Sequence, residues 1–325
     1  MSLVKFLGIG SSAPDKVLSN VDFEEMIDTS DEWIRSRTGI SERRIAEPEV
    51  ASSDLAYEAS IKALEDANMG PEDIDGIIVG TITPDFIFPS TACVLQGRLG
   101  AHQAFAFDVL AGCSGFIYAL HVAKGLIQGG TAKKLLVVGA ETLSKIMNYE
   151  DRTTCILFGD GAGAAVISVS ETPGILSSCL GANGDGWDLL YMPGGGSRMP
   201  TSEESVKNGS HFLKMEGKEV FKEAVKALQS SSLEAIEQAG ITPDDIDLLI
   251  PHQANYRIID AVRKRLELPE EKVFSNLDRY GNTSSASVPI ALDEAVKSGR
   301  LKKGDVVVFS AFGAGFTWGA SVVRW

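Results

Sequence analysis

The chain has 325 residues, 44% hydrophobic and 23% charged, the balance of an ordinary globular protein. Its net charge of −14 excludes nucleic acid as the main partner, because phosphate binding needs a basic surface. No stretch reaches the ~18–20 uninterrupted apolar residues of a membrane span, and the four cysteines (Cys93, Cys113, Cys155, Cys179) show no metal-type spacing.

The opening MSLVKFLGIGSSAP carries a short apolar run without a leader-like charged start. A secretory signal is not expected, and a reducing, cytoplasmic setting is, in which a reactive thiol survives. Short β-rich runs then alternate with amphipathic stretches, the pattern of an α/β protein. In chain order the spacing predicts a helix over 54–68, a strand over 76–80 (GIIVG), a helix over 115–128, and strands over 134–139 (KLLVVG) and 164–168 (AAVIS). A helix over 218–239 follows, then strands over 248–251 (LLIP) and 272–276, a helix over 287–298 and a strand over 305–310 (DVVVFS). Gly8-Ile-Gly10 and Gly159-Asp-Gly-Ala-Gly163 loosely resemble dinucleotide loops. Neither has the full G-x-G-x-x-G ahead of a helix with an acid about twenty residues on, so tight turns are expected at both.

The chain also resembles itself. Residues 56–79 (AYEASIKALEDANMGPEDIDGIIV) and 228–251 (LQSSSLEAIEQAGITPDDIDLLIP), 172 positions apart, share nine of 24 residues. Common turn chemistry in two unrelated helices is the bland account. A duplicated helix–turn–strand unit is the sharper one, and its offset of about half the chain predicts two similar halves, 1–172 and 173–325, packed as one body. Arg257, Arg263, Lys264 and Arg265 fall within nine residues on an expected helix over 257–266. They form either a solvated helix face or a local docking patch for an acidic partner.

Three polar residues follow strand ends. In AFAFDVLAGCSGFIYALHVAKGLIQ an apolar strand ends in Ala-Gly, then Cys113, then Ser-Gly and a helix. A helix start offers free N–H groups and partial positive charge, which favour a thiolate. A lone cysteine is otherwise a small buried hydrophobe, the reading that suits Cys93, Cys155 and Cys179. His252 follows strand 248–251, where α/β sites tend to form; His102, His121 and His211 lack such a context. Asn282 lies in RYGNTSS ahead of a helix, where an N-cap is the alternative. By the duplication this turn corresponds roughly to the Cys113 elbow, so the two elbows are expected to face each other. Gly313 and Gly315, in FSAFGAGFTW, allow a backbone to approach closely and aim N–H groups at a thioester oxygen.

These segments, with TSDEWIRSRTGISERR (29–44), FGDGAGAAV (158–166), PHQANYRII (251–259), GNTSSASVP (281–289) and FGAGFTWG (312–319), resemble the β-ketoacyl-acyl-carrier-protein synthases of type III. Those are the initiating condensing enzymes of bacterial fatty-acid synthesis, and the resemblance runs essentially end to end. It implies the duplicated thiolase-like fold, five layers αβαβα, and a homodimer. It assigns catalysis to Cys113, His252 and Asn282, coenzyme A contacts to Trp33, Arg37, Arg152, Asn255 and Arg257, and to Phe88 a place in the partner subunit's acyl pocket. Lys222, Arg257, Lys264 and Arg265 fall on the carrier-protein face. The family's Gly-Gly-Gly loop has Ala314 at its middle here; alanine still donates its N–H, so an oxyanion hole of Cys113 and Ala314 backbone survives if φ at Ala314 is negative.

The implied reaction acylates Cys113 from acyl-coenzyme A, with coenzyme A leaving as a product. Malonyl-acyl carrier protein then loses CO₂, its enolate held by His252 and Asn282, and attacks the acyl group. No metal or redox cofactor is required. A papain-like protease shares the order Cys, His, Asn, but places its cysteine near the mature N-terminus of a secreted, disulfide-bearing chain. A thiolase-fold relative of secondary metabolism is the other alternative. The preferred acyl primer is not legible.

Overall fold

Alternating apolar residues build two sheets in the computed structural model, which describes residues 2–325. The first has the spatial order Leu3–Ser12, Asp160–Ser170, Lys134–Thr142, Gly76–Gly80, Phe105–Val109. The second has the order Leu248–Pro251, Val306–Gly313, Thr317–Arg324, Ile175–Ala182. From its opposite edge the second sheet repeats the first, with Ile175–Ala182 in the place of Leu3–Ser12. In both, a short strand pairs parallel with a longer neighbour (Gly76–Gly80 with Lys134–Thr142; Leu248–Pro251 with Val306–Gly313), and from that neighbour to the far edge the pairs run antiparallel; Gly76–Gly80 also pairs parallel with Phe105–Val109.

Helices Ser52–Asp66 and Thr91–Leu99 cover the outer face of the first sheet and Gly217–Gln238 that of the second. Gly115–Gln128 and Ser287–Lys297 lie between the sheets and touch both, which completes five layers, αβαβα. The pleat sorts the strand residues accordingly. Ile78, Leu135, Val137, Leu248, Ile250, Val307 and Phe309 join the central core. Their neighbours Ile77, Val79, Leu136 and Val138 pack under the outer helices of the first sheet, and Leu249, Val306 and Val308 under that of the second. Each fully buried aliphatic side chain contributes roughly 1.5–3 kcal/mol. Among the described residues no helix is long and apolar enough to cross a membrane.

The 172-residue offset holds in the backbone of the segment that first suggested it and continues past that segment. Left-handed Asn68 and Gly240, the 3₁₀ turns Pro71–Asp73 and Pro243–Asp245, the strand starts Gly76 and Leu248, and the helix starts Gly115 and Ser287 all obey it. Gly112 (φ 54°) and Ser284 (φ 49°) do too, so the two elbows share one backbone shape.

Three expectations need correction. Gly8–Gly10 and Gly161–Gly163 are not turns but strand interior. A Cβ at Gly8 would stand 2.4 Å from Ala63 O, and one at Gly163 2.6 Å from Pro289 Cβ, so the glycines let helices lie directly on the sheet. Residues 272–276 are not a strand: they begin in a 3₁₀ turn, and Val273 makes one isolated parallel bridge to Leu249. The Gln253 side chain occupies the backbone beyond it, with its Oε1 accepting from Asn276 N–H at 3.3 Å. Cys93 is exposed rather than core. Its helix buries Thr91, Ala92, Leu95 and Leu99, one 3.6-period face that leaves residue 93 outside.

Candidate active site

Strand Phe105–Val109 ends at the first elbow, where Gly112 turns left-handed and Cys113 follows in a 3₁₀ turn. A Cβ on Gly112 would lie 2.6 Å from Ala314 N, and one on Gly313 2.2 Å from Cys113 N, so glycine is required at both for the elbow to touch the 313–315 loop. Thr317 ties them, its hydroxyl donating to Ala111 O at 2.7 Å while Ser114 Oγ donates to Thr317 O at 3.1 Å. Ala314 is not among the residues of positive φ.

Burial pushes the Cys113 thiol up to about 12; the neighbouring Ser284 hydroxyl pulls it down and the Glu141 carboxylate pushes it further up. This direction is opposite to the depression expected from the helix start. Cys113 is 7% exposed, and the α-helix begins at Gly115, two residues beyond it, so loss of hydration works against the helix start.

His252 leaves the end of Leu248–Pro251 with its N–H on Ser310 O at 2.7 Å, and is 4% exposed. Burial pushes its pKa down to about 3, so the ring is neutral. Ser287 Oγ lies 2.7 Å from Nδ1 and accepts from Gln253 N–H at 3.4 Å. In the tautomer whose Nδ1 accepts the Ser287 proton, the imidazole proton is on Nε2. Asn282 is held by its own N–H to Leu157 O at 2.8 Å and by its Oδ1, which accepts Ser284 N–H at 2.8 Å. The amide oxygen is therefore occupied and the NH₂ is left as a donor. Cys113, His252 and Asn282 line one cavity of about 100 Å³.

A second cavity, of about 400 Å³, meets the first at Cys113. Its walls are mainly apolar, among them Ile82, Leu110, Ile146, Trp187, Leu190 and Met192. Phe88, 85% exposed, does not reach it within the chain. Phe86, Ile87 and Leu110 are also exposed, beside the edge strand Phe105–Val109.

The residues assigned to coenzyme A come from three parts of the chain. Arg152 lies over the Trp33 ring at 5.2 Å and donates to Asp28 O at 2.7 Å. Asn255 caps helix Tyr256–Arg265, accepts Arg257 N–H at 2.9 Å and donates through Nδ2 to Arg37 O at 3.0 Å. Arg257 lies 5.8 Å from the ring centroid of Phe221, and Asn255 and Phe221 line the first cavity. Arg37, Asn255, Arg257 and Phe221 thus share one mouth.

On the adjoining face Lys264 pairs with Asp260 at 2.7 Å and Arg265 donates to Gln229 Oε1 at 2.9 Å, while Arg263 is tied to Asp260 and Leu268 O. Helix Gly217–Gln238 packs beside it and presents Lys218, Lys222 and Lys226, one turn apart and exposed. Sequence reasoning found Lys222 and missed the other two, although their spacing of four was there to read. It also missed Ser284, Ser287 and Glu141.

The family described as 3-oxoacyl-[acyl-carrier-protein] synthase III matches residues 107–184, and its C-terminal counterpart matches residues 236–325. The β-ketoacyl-[acyl-carrier-protein] synthase III of Caldanaerobacter subterraneus subsp. tengcongensis is 61% identical over 320 residues, covering 98% of this chain and 97% of that protein. The crystal structure of the corresponding synthase from Thermus thermophilus is similar with a TM-score of 0.92 at 50% identity, covering 99% of each chain. The priming β-ketosynthase of the R1128 polyketide biosynthetic pathway has a TM-score of 0.93 at 38% identity, covering 99% of this chain and 96% of that one.

Proposed function

The chain belongs to the 3-oxoacyl-[acyl-carrier-protein] synthase III family, and from that premise we propose how its residues divide the work. It has the thiolase-like fold of its relatives, and it is an acyltransferase of fatty-acid synthesis, joining an acyl-coenzyme A primer to malonyl-acyl carrier protein. The observation that carries our reading is the meeting of two cavities at Cys113. The smaller one, which holds His252 and Asn282, suits the malonyl thioester, and the larger one suits the acyl chain.

Cys113 attacks the primer carbonyl, and the oxyanion takes N–H donors from Cys113 and Ala314. Coenzyme A, held at the mouth by Trp33, Arg37, Arg152, Asn255 and Arg257, leaves. Malonyl-acyl carrier protein then loses CO₂ while His252 Nε2–H and the Asn282 NH₂ bind the enolate oxygen, and the carbanion takes the acyl group. Neither donor has to give up its proton. No cofactor takes part in these steps. The halves 1–172 and 173–325 descend from a duplication, a reading supported by the common strand order and the recurring offset. The free Cys113 thiol fits the cytoplasm.

The exposed Phe86–Phe88 loop and Leu110 flank an edge strand, a surface that pairs with a second copy. Phe88 of the dimer then closes the partner's acyl cavity. A panel of acyl-coenzyme A primers with malonyl-acyl carrier protein, read by mass spectrometry, tests both claims. We expect 3-ketoacyl-acyl carrier protein and CO₂, and a preferred primer length that shifts in Phe88→Ala. No condensation with any primer would reject the function, and an unchanged primer profile in a chain monomeric by light scattering would reject the role of Phe88.

Both this chain and a carrier protein are acidic, so docking needs a local patch of opposite sign. Lys222, Arg257, Lys264 and Arg265 supply it, joined by Lys218 and Lys226. Lys264→Glu with Arg265→Glu is expected to raise the KM for malonyl-acyl carrier protein by roughly tenfold at low salt and to flatten its salt dependence, the behaviour of rim charges. Acylation by acyl-coenzyme A should stay near normal. An unchanged KM would show these charges to be only a solvated helix face.

A further inference from the structure

Near the end of strand Lys134–Thr142, at the seam between the two halves, Glu141 is fully buried. Its carboxylate is met from both sides. The first half offers Thr81 Oγ1 at 3.2 Å, Thr83 Oγ1 at 2.6 Å, and the Ile82 and Thr83 N–H groups at 3.1 Å. The second half offers Ser284 Oγ at 3.0 Å and Ser285 Oγ at 2.8 Å. Cys113 is close enough for the two charges to repel, and it is the one titratable group among these neighbours. No cation pairs with Glu141 among them. A carboxylate buried in this way is costly, and the condensation itself makes no use of it.

Two of these hydroxyls have more acceptors than protons. Ser285 faces Gly80 O at 2.7 Å and Glu141 Oε1 at 2.8 Å with a single proton to give. Gly80 O only accepts, so when Ser285 serves it the contact with Glu141 is complete only if the carboxyl carries a proton. Ser284 Oγ, 3.0 Å from Glu141 Oε1, shares the lining of the second cavity with Cys113 and pulls on its thiol, again with one proton. Its φ of 49° is costly for a serine, and the matching position of the other half is Gly112. The backbone alone would be better served by glycine, which leaves the hydroxyl as the reason for serine.

We propose that Glu141, acting through Ser284, accepts the Cys113 proton and stores it for the lifetime of the acyl-enzyme. The proposal rests on the acyl-Cys113 reading above. As the primer binds, the Cys113 S–H proton passes to Ser284 Oγ while the Ser284 O–H proton passes to Glu141 Oε1. The sulfur electron pair bonds the thioester carbon, the bond from that carbon to the coenzyme sulfur breaks, and the coenzyme thiolate takes a proton from water at the mouth. When the carbanion later displaces Cys113, the thiolate recovers its proton from Glu141 by the same route. Before attack the site thus holds one negative charge on either of two buried groups, moved rather than created. The acyl-enzyme presents a neutral carboxyl when the malonyl anion enters. Burial raises Glu141 above the ordinary carboxylate range, which helps it take the proton.

Single-turnover acylation by acyl-coenzyme A, followed as mass on Cys113 from pH 6 to 10, tests this in the wild type, Glu141→Gln and Ser284→Gly. The wild type should be nearly flat with pH, because the proton moves within the site. Both variants should acylate about 10²-fold more slowly at pH 7, the scale of a lost general base. Their rates should climb about tenfold per pH unit as the thiol ionises to solvent instead. In Ser284→Gly the relief of left-handed strain offsets part of the lost contact with Glu141, so the variant should still melt cooperatively, which separates the effect from misfolding. A Glu141→Gln enzyme that acylates faster than wild type at pH 7, as mere removal of a repelling charge would give, overturns the proposal; so do flat profiles in both variants. Absence of any acyl mass on wild-type Cys113 overturns the acyl-Cys113 reading and the relay with it.

Discussion

Cys113→Ala should leave the chain unable to hold an acyl group. Incubated with acyl-coenzyme A and digested, the variant should show no added mass on the peptide carrying residue 113, and condensation should fall by roughly 10⁴-fold or more, as when an attacking group is deleted. The other cysteines offer no substitute. Cys155 and Cys179 are buried outside both cavities, and burial pushes each thiol up to about 11. Cys93 is exposed but lies on a different surface, its Sγ 3.7 Å from Ala106 O. Alanine fits the space of a buried cysteine, so the thermal midpoint should move little and the loss should be chemical. Acyl mass on Cys93, Cys155 or Cys179 in the wild type would sink the assignment.

How much of this was readable depends on the range of the signal. Cys113 and His252 were legible because each follows an apolar run that ends abruptly, and Asn282 because the 172-residue offset lays NTSSAS over LAGCSG. The strands 76–80 and 248–251 and the helix 115–128 fall where their residues predict them. Cys93 was misread because a helix of nine residues gives a short, ambiguous period. The glycines of 159–163 were misread as turns because sequence shows a missing side chain but not the helix that fills its place. The thiol pKa was misjudged for a related reason: an elbow motif announces a helix start, while the depth of burial is set by a loop two hundred residues later. Glu141 had no signal at all, since KLLVVGAET looks like a strand reaching solvent until the second half folds over its end.

His252→Ala and Asn282→Ala should separate the half-reactions. The enolate formed when malonyl thioester loses CO₂ concentrates charge on one oxygen, and each variant removes one donor from it. CO₂ release from malonyl-acyl carrier protein should slow by about 10²-fold or more in either, the scale of a lost oxyanion donor. Acylation of Cys113 should fall less. Asn282→Ala also strips the acceptor from Ser284 N–H, so Asn282→Asp is the cleaner companion: it keeps that acceptor but cannot donate. The pH dependence follows from His252. Its folded pKa is near 3 against 6.5 for the free side chain, so the ring stays neutral and decarboxylation should be flat with respect to this group from about pH 5 upward. The same depression ties it to stability. Above pH 6.5 the imidazole is neutral in both folded and unfolded chains and its burial contributes in full; as pH falls from 6.5 toward 3 only the unfolded chain binds the proton, and that contribution is lost. His252→Ala should therefore remove part of the fall in Tm across that window. If both variants release CO₂ normally while acylation disappears, the two residues serve the first half-reaction and not the second.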